Sequence, residues 1–373
     1  MVTFAFYVSG HGFGHASRQV EVMNALGKAL PTSRIVVRTA ASPDLLGRTL
    51  RVPCEVWPGP CDPGIAQRTS VEHDDRRTLE EVLDFYDSWE SRVTEEANRL
   101  APEKPAVVIG DIPPLAFAVA AKLGVPSVAV ANFTWDWIYD TQPGFGPHRT
   151  LLSVLRSAYR QATLALRLPL SDGFDVFERV RSIPFIARQP VRGRHETRRH
   201  FGFADDERLA LLSFGGYGMP ALDLARLDCL DTWRVVTTDR VTDTDCTLPA
   251  RVVRISEDGF LKGPCRYEDL VRAVDVVVTK PGYGIIADCI AAGTAMLYTS
   301  RGSFREYDLL VDALPRHVRS SFISQDDLFA GRWREALDSV LALPPPGPPP
   351  PTDGAAVAAS AIAELAAAER SVV

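Results

Sequence analysis

The chain has 373 residues, 46% of them hydrophobic and 24% charged, which is enough for two domains that each bury a core. A formal net charge of −6 argues against nucleic acid as a main partner, and no run of about 18 uninterrupted apolar residues marks a transmembrane helix. The six cysteines (54, 61, 229, 246, 265 and 289) have neither CxxC nor zinc spacing, and no basic, cleavable leader is read at the start, so a cytoplasmic protein with reduced thiols is expected.

The apolar run Phe4-Ala5-Phe6-Tyr7-Val8 predicts a buried strand over 3–8, and helical spacing of apolar residues predicts a helix over 16–30. Between them lies Ser9-Gly10-His11-Gly12-Phe13-Gly14-His15-Ala16-Ser17-Arg18. A strand over 34–38, a helix near 43–50, a polar stretch and a charged helix over about 77–100 follow. Next come a strand over 106–110, Asp111-Ile112-Pro113-Pro114, an Ala-rich helix to Leu123 and a strand over 125–131. Residues 184–200 lose the periodicity in Ile-Pro, Gln-Pro and an Arg/His-rich run, read as a solvated interdomain connection. The alternation then restarts, with strands over 209–213, 233–238, 251–255, 274–279 and 295–299 and a helix over 285–292. Strands alternating with helices imply parallel βαβ units. The tail has a polyproline run over 344–351 and an Ala-rich helix over about 354–370, read as a spacer and an end-capping helix.

The first glycine-rich stretch joins a strand to a helix, which places it at the carboxyl edge of a parallel sheet, where ligands bind. Glycines admit φ > 0 and close approach of a ligand, and histidines exchange protons near neutral pH. A dinucleotide fingerprint fails, because His15 stands where the third glycine belongs and no acid follows the second strand. A phosphate P-loop fails for want of Gly-Lys-Ser/Thr, and zinc binding by His11 and His15 lacks a third ligand. A purely structural turn stays open beside the favoured reading, a catalytic histidine. Asp111, at the end of the strand over 106–110, either orients that imidazole or caps the next helix.

In the second half, Lys280-Pro281-Gly282-Tyr283-Gly284 ends a strand and opens a helix, the outline of an anion site. Gly215, Gly216 and Gly218 form a second such turn, so a diphosphate fits between them. Asp288, one turn into the helix, suits a ribose diol. The segment from Arg301 to Asp308, with Arg305, Glu306 and Asp308, suits sugar hydroxyls; a polar loop starting a helix is the plainer alternative. Asn132-Phe133-Thr134-Trp135-Asp136-Trp137-Ile138-Tyr139 suits stacking on an acceptor, or core packing. Asp243-Thr244-Asp245 is read as a solvated loop rather than a metal site.

Two glycine-turn Rossmann halves with an N-terminal Gly-His stretch resemble glycosyltransferases of the GT-B fold. The segment from Gly282 to Gly293 resembles the donor site of the lipid II N-acetylglucosaminyltransferase family. Residues 7–18, 132–139 and 280–284 resemble more closely the glycosyltransferase-like N-terminal half of L-arabinokinases, over nearly the whole chain to about residue 340. The kinase half of those proteins, with its glycine-rich ATP loop, has no counterpart in this sequence.

The resemblance implies an α/β GT-B architecture, two Rossmann-like domains facing a central cleft. Residues 1–186 would form the acceptor domain, 187–345 the nucleotide-sugar domain and 346–373 the spacer and last helix. It implies a metal-independent, inverting glycosyltransferase without a cofactor. Its donor would be a UDP- or dTDP-sugar and its acceptor a small molecule or glycan. His15 would be the general base, with His11 second and Asp111 behind it. Gly12, Gly14, Gly215, Gly216, Lys280, Gly282, Tyr283, Gly284, Asp288, Arg305, Glu306 and Asp308 would contact the donor, with the base near Gly263 to Tyr267. Asn132, Trp135 and Asp136 would contact the acceptor. Lys280-Pro281, Glu306 and Asp308 depart from the usual transferase residues. They leave open a non-catalytic sugar-nucleotide-binding module, or an epimerase or hydrolase of the same fold.

Overall fold

A computed structural model describes residues 2–370 except 216–218, 220–221, 239–247, 257–258, 261–262 and 303. The chain divides into two units: the first comprises the residues up to Ala66, Asp74–Ile186 and the segment from Pro351, the second Gln67–His73 and Ala187–Pro350. The predicted Asp-x-Asp and Gly216 fall outside the described residues.

In unit 1, strands β1 (Thr3–Val8), β2 (Arg34–Thr39), β3 (Glu55–Pro58), β4 (Pro105–Gly110), β5 (Ser127–Ala131), β6 (Leu164–Arg167) and β7 (Val180–Ser182) form one sheet. Their order is β3-β2-β1-β4-β5-β6-β7 and every pair is parallel. β1 and β5 are buried at every position, as strands covered on both faces must be, whereas β7 at one edge is exposed throughout. In unit 2, strands β8 (Leu209–Ser213), β9 (Arg234–Thr238), β10 (Val252–Ile255), β11 (Val276–Thr279), β12 (Ala295–Tyr298) and β13 (Ser320–Phe322) are ordered β10-β9-β8-β11-β12-β13, again parallel. Each sheet reverses its winding once, between β1 and β4 and between β8 and β11. In such sheets the crevice outside the strand ends at the reversal is the ligand position. It is flanked in unit 1 by Ser9–His15 and Asp111, and in unit 2 by Phe214-Gly215 and Lys280–Gly284.

Several elements differ from the sequence expectation. The first helix runs Gly12–Ala29, so the Gly-His stretch is its first turn rather than a preceding loop. Gly12 enters it with φ +68, the position in this turn where glycine is required. The charged helix is two helices, Asp75–Asp87 and Trp89–Leu100, broken at Ser88, and Asp74 caps the first by accepting from the Arg77 amide.

The Arg/His-rich connection is not solvated. It holds the helix Arg194–His200, and Arg198 is fully buried. The Arg198 guanidinium donates to the carbonyls of Ala204, Asp205, Glu207 and Ala273 and pairs with Asp275, which also takes Arg194 and the Leu209 amide. A guanidinium's many donors allow such burial only when most are satisfied.

The Ala-rich helix Gly354–Arg370 packs on the helix Gly12–Ala29, adding Ala358, Ala359, Ala361, Ile362 and Ala366 to the unit 1 core. Small side chains permit the close approach, and a Cβ at Gly354 would fall 2.2 Å from the Pro184 carbonyl oxygen. The excursion Gln67–His73 belongs to unit 2, where Val71 is buried among Leu212, Phe214 and Trp333. Among the described residues no helix is long and apolar enough to cross a membrane.

Candidate functional site

The unit 1 crevice is built by the end of β1, the first turn of its helix and the end of β4. The backbone amide of Asp111 donates to the Tyr7 carbonyl at 3.0 Å, which carries β-type pairing one residue past β4 and fixes the carboxylate. Asp111 Oδ2 lies 2.5 Å from His15 Nδ1. Its Oδ1 accepts from Arg18, one helical turn beyond His15, and from Gln19 Nε2 at 3.3 Å. Arg18 also donates to Asn132 Oδ1, and Gln19 to the Val130 carbonyl. Burial raises the Asp111 pKa, but the charges of Arg18 and His15 and their hydrogen bonds outweigh it and hold the carboxyl at about 2. An ionised Asp111 accepts only, so the His15 proton sits on Nδ1 and Nε2 is left basic. Among the described residues Nε2 has no hydrogen-bond partner. The sequence-predicted pair is thus brought together, and Asp111 is not a helix cap.

His11 is placed differently. The Ile65 amide donates to its Nδ1 at 3.3 Å, and its ring lies 6.2 Å from that of His15 and 5.7 Å from Trp135. Gly64, with φ +67, lets the loop close over it, because a Cβ there would meet His11 Cβ at 2.8 Å.

The three residues expected to contact an acceptor are spent inside the unit. Asn132 accepts from Arg18 and donates to the Pro169 carbonyl at 2.7 Å. Asp136 holds Arg156 at 2.9 Å, and Trp135, 1% exposed, stacks on Tyr139 with rings 5.4 Å apart and 11° between planes. Their chemistry suited a ligand in sequence. The reason they are buried is the short helix Trp135–Tyr139, whose start is pinned by the Tyr159 hydroxyl accepting from the Trp135 amide.

A residue the sequence reading missed joins this centre. Asp62 accepts from Ser9 Oγ at 2.9 Å and from Trp135 Nε1 at 2.7 Å. Burial pushes its pKa up to about 6, against those two donors and the nearby His15. The signal was its place just after a parallel strand, but that strand, β3, is four residues long and largely exposed, too weak a pattern to read.

In unit 2 the helix Tyr283–Ala292 starts at Gly282 with no side-chain cap, which leaves its first amides for other acceptors. Gly284 lies in its first turn, and Gly215, with φ +71, follows β8. Lys280, partly buried at the end of β11, donates from Nζ to the Ser70 carbonyl and makes no ion pair among the described residues. Burial, and then the Arg301 charge, lower its pKa to about 7. Arg301 is buried over the Phe304 ring at 3.8 Å, donates to the Pro281 carbonyl at 3.2 Å and faces Glu306 at 3.3 Å. Glu306 is therefore buried, while Asp308 is exposed and Arg305 precedes their helix, Glu306–His317.

Asp288 is neither solvated nor open. Its Oδ1 accepts from the Arg188 amide at 3.1 Å and its Oδ2 from the Arg188 side chain, whose guanidinium lies 4.8 Å from the Tyr267 ring centre. The Tyr267 hydroxyl meets Ser213 Oγ at 2.5 Å. Arg188 had no sequence signal beyond lying in the connection. Among the described residues no group of three or more His, Cys, Asp or Glu is arranged to hold a metal ion.

No family model matches the chain. It is 27% identical to the L-arabinokinase of Arabidopsis thaliana over 349 residues, 92% of this chain but 32% of that protein, so it spans about a third of its relative's length. Similar solved structures include the glycotransferase of kitacinnamycin (TM-score 0.60, 16% identity, 98% of this chain and 95% of that one). Arabidopsis thaliana UGT89C1 is similar too (0.60, 13%, 98% and 99%), as is the glycosyltransferase VinC in complex with dTDP (0.56, 15%, 98% and 96%). The two all-parallel sheets, in the orders given above, are those of the GT-B fold.

Proposed function

We propose that the protein moves a sugar from a nucleoside-diphosphate donor, UDP- or dTDP-linked, to a hydroxyl of a small-molecule or glycan acceptor. Unit 2 takes the donor and unit 1 the acceptor. His15 Nε2 removes the proton of the acceptor hydroxyl as its oxygen attacks the anomeric carbon and the bond to the β-phosphate breaks, inverting that carbon. The imidazolium so formed lies against ionised Asp111, and the leaving diphosphate meets the uncapped amides of the helix Tyr283–Ala292 and Lys280. Those amides and Lys280 supply the positive field that a divalent cation gives elsewhere, so transfer proceeds without metal.

The observation that carries this reading is the His15–Asp111 pair. A buried, ionised carboxylate sets the tautomer and leaves the other nitrogen for a substrate proton, in a fold shared with the glycotransferase of kitacinnamycin and the glycosyltransferase VinC. The sequence similarity to an L-arabinokinase supports a sugar substrate. Asn132, Trp135 and Asp136 serve as framework, and Asp288 acts by fixing Arg188.

The test incubates the chain with UDP- and dTDP-sugars and a panel of hydroxylated acceptors, with and without a chelator, and reads products by mass spectrometry and anomer by NMR. Transfer that survives chelation, inverts the anomer and disappears in His15→Ala is expected. Retention of configuration, or full activity in His15→Ala, would overturn the mechanism.

A further inference from the structure

The charged groups at the unit 2 crevice do not balance. Lys280 and Arg301 are both withdrawn from solvent, and the one carboxylate among them, Glu306, already faces Arg301. Among the described residues Lys280 donates only to the Ser70 carbonyl. Arg301, whose side chain is 9% exposed, reaches Pro281 at the entry to the helix Tyr283–Ala292, and among the described residues its Nε lacks a hydrogen-bond partner, as does Glu306 Oε2. Were Lys280 protonated, the described groups would be two cations, one anion and an uncapped helix start, a cluster that then lacks one negative charge. A phosphate oxyanion is the ligand chemistry that fills it, since it brings that charge and several acceptors to a helix N-terminus.

We propose that Lys280 and Arg301 form one anion subsite, with Arg301 as its permanent cation, and that Lys280 enters it as a neutral amine and takes up a proton when a nucleoside diphosphate binds. The inference rests on the donor reading above and deepens it. Arg301, on the β12 side of the crevice, opens the segment that the sequence assigns to sugar hydroxyls, and its place beside the Pro281 carbonyl assigns it to phosphate instead.

The physical basis is electrostatic. In the free chain, part burial and the neighbouring guanidinium disfavour a second positive charge on Lys280, and Glu306 only partly offsets them. Other titratable groups on the elements packed here include His73, which stacks edge-on to Phe304 at 4.8 Å, Tyr283 at the helix start, and Tyr307 and Asp308 in the first turn of the Glu306 helix. Bringing a phosphate beside Nζ reverses the balance, and the amine then ionises. The Ser70 carbonyl, in the excursion Gln67–His73, is the partner Lys280 exchanges for the phosphate. Ser70 Oγ donates to the Phe214 carbonyl at 2.7 Å, just before Gly215, which keeps that excursion against the glycine turn.

Thermal shift with UDP, dTDP, GDP and ADP first selects the tightest-binding nucleotide. Calorimetric titration of the full chain with it follows at pH 8, in two buffers of different ionisation enthalpy. The phosphates of a nucleoside diphosphate are fully ionised at that pH, so protons taken from buffer go to the protein. Uptake approaching one proton per nucleotide is expected, falling to zero in Lys280→Arg, whose side chain is always charged and still binds. Binding without uptake overturns the inference and leaves the donor reading intact. Uptake unchanged in Lys280→Arg assigns the proton to another group and overturns it equally. No stabilisation by any of the four nucleotides would sink the donor reading and this inference together.

Discussion

The two crevices are alike in topology and opposite in electrostatics. In unit 1 the Asp111 carboxylate has its partners within the unit, His15 and Arg18. In unit 2 Lys280 has a carbonyl where a carboxylate would balance it. A closed set of charges can hold one tautomer and one geometry without a ligand, which suits a base that must be ready before the acceptor arrives. An open set disfavours its second cation until a bound anion balances it, which suits a donor site. Position in a Rossmann-like sheet locates a site; the charge balance there says what it waits for.

Substitutions can break this contrast. His15→Ala removes the proposed base and is expected to lower the transfer rate by about 10²–10⁴, measured with saturating donor and acceptor, while leaving nucleotide-induced stabilisation unchanged. Asp111→Asn strands Arg18 and frees the His15 tautomer. A comparable rate loss is expected, with a stability loss of about 3–5 kcal/mol, the cost of breaking a buried pair. Folding lowers the Asp111 pKa from its usual range to about 2, so its contribution is complete above about pH 4 and is lost as pH falls toward 2. Denaturant curves of variant and parent should therefore converge in acid. Asp288→Ala leaves the buried Arg188 unpaired and should cost the free chain about 3–5 kcal/mol by the same reasoning. An unchanged unfolding midpoint would mean that Asp288 does not hold Arg188.

Lys280→Met changes the free chain in the other direction. A lysine whose pKa folding lowers to about 7 carries a penalty that is full below pH 7 and fades as pH rises toward the unfolded value. The variant should melt about 2–4 °C higher at pH 6, a gain on the order of 1 kcal/mol, with the gain shrinking by pH 9. It should also lose its response to nucleotide. Trp135→Phe acts on the framework of unit 1. It withdraws the indole N–H from buried Asp62, at a cost of about 1–3 kcal/mol, and urea unfolding would read it.

Much of this organisation was legible in sequence, for identifiable reasons. Apolar runs such as 106–110 and 276–278 announce strands buried on both faces, and glycine-rich segments after them mark the crevice ends. His15 and Asp111 could be paired because both follow strands that lie side by side at the winding reversal. Edge strands such as β3 and β7 are short and exposed, so Asp62 went unseen behind one of them. The fates of Asn132, Trp135 and Asp288 depend on long-range partners, Arg18, Asp62 and Arg188, that no local pattern specifies. Arg198 shows the same limit from the other side: an arginine in a polar run reads as solvated until the carbonyls around it are known. The site of the last helix, on Gly12–Ala29, rests on alanines, and its start on Gly354 against the Pro184 backbone; these fix how closely a helix packs but not against what.

The central claim is that unit 2 binds a nucleoside diphosphate through Lys280 while His15 of unit 1 serves the chemistry alone. Thermal unfolding of the parent chain, His15→Ala and Lys280→Met, each with and without UDP or dTDP, tests it most directly. A ligand at about 100 times its dissociation constant stabilises by about 2.7 kcal/mol. The account predicts that shift in the parent and in His15→Ala and its absence in Lys280→Met. No shift in the parent, or its loss in His15→Ala, would contradict the account.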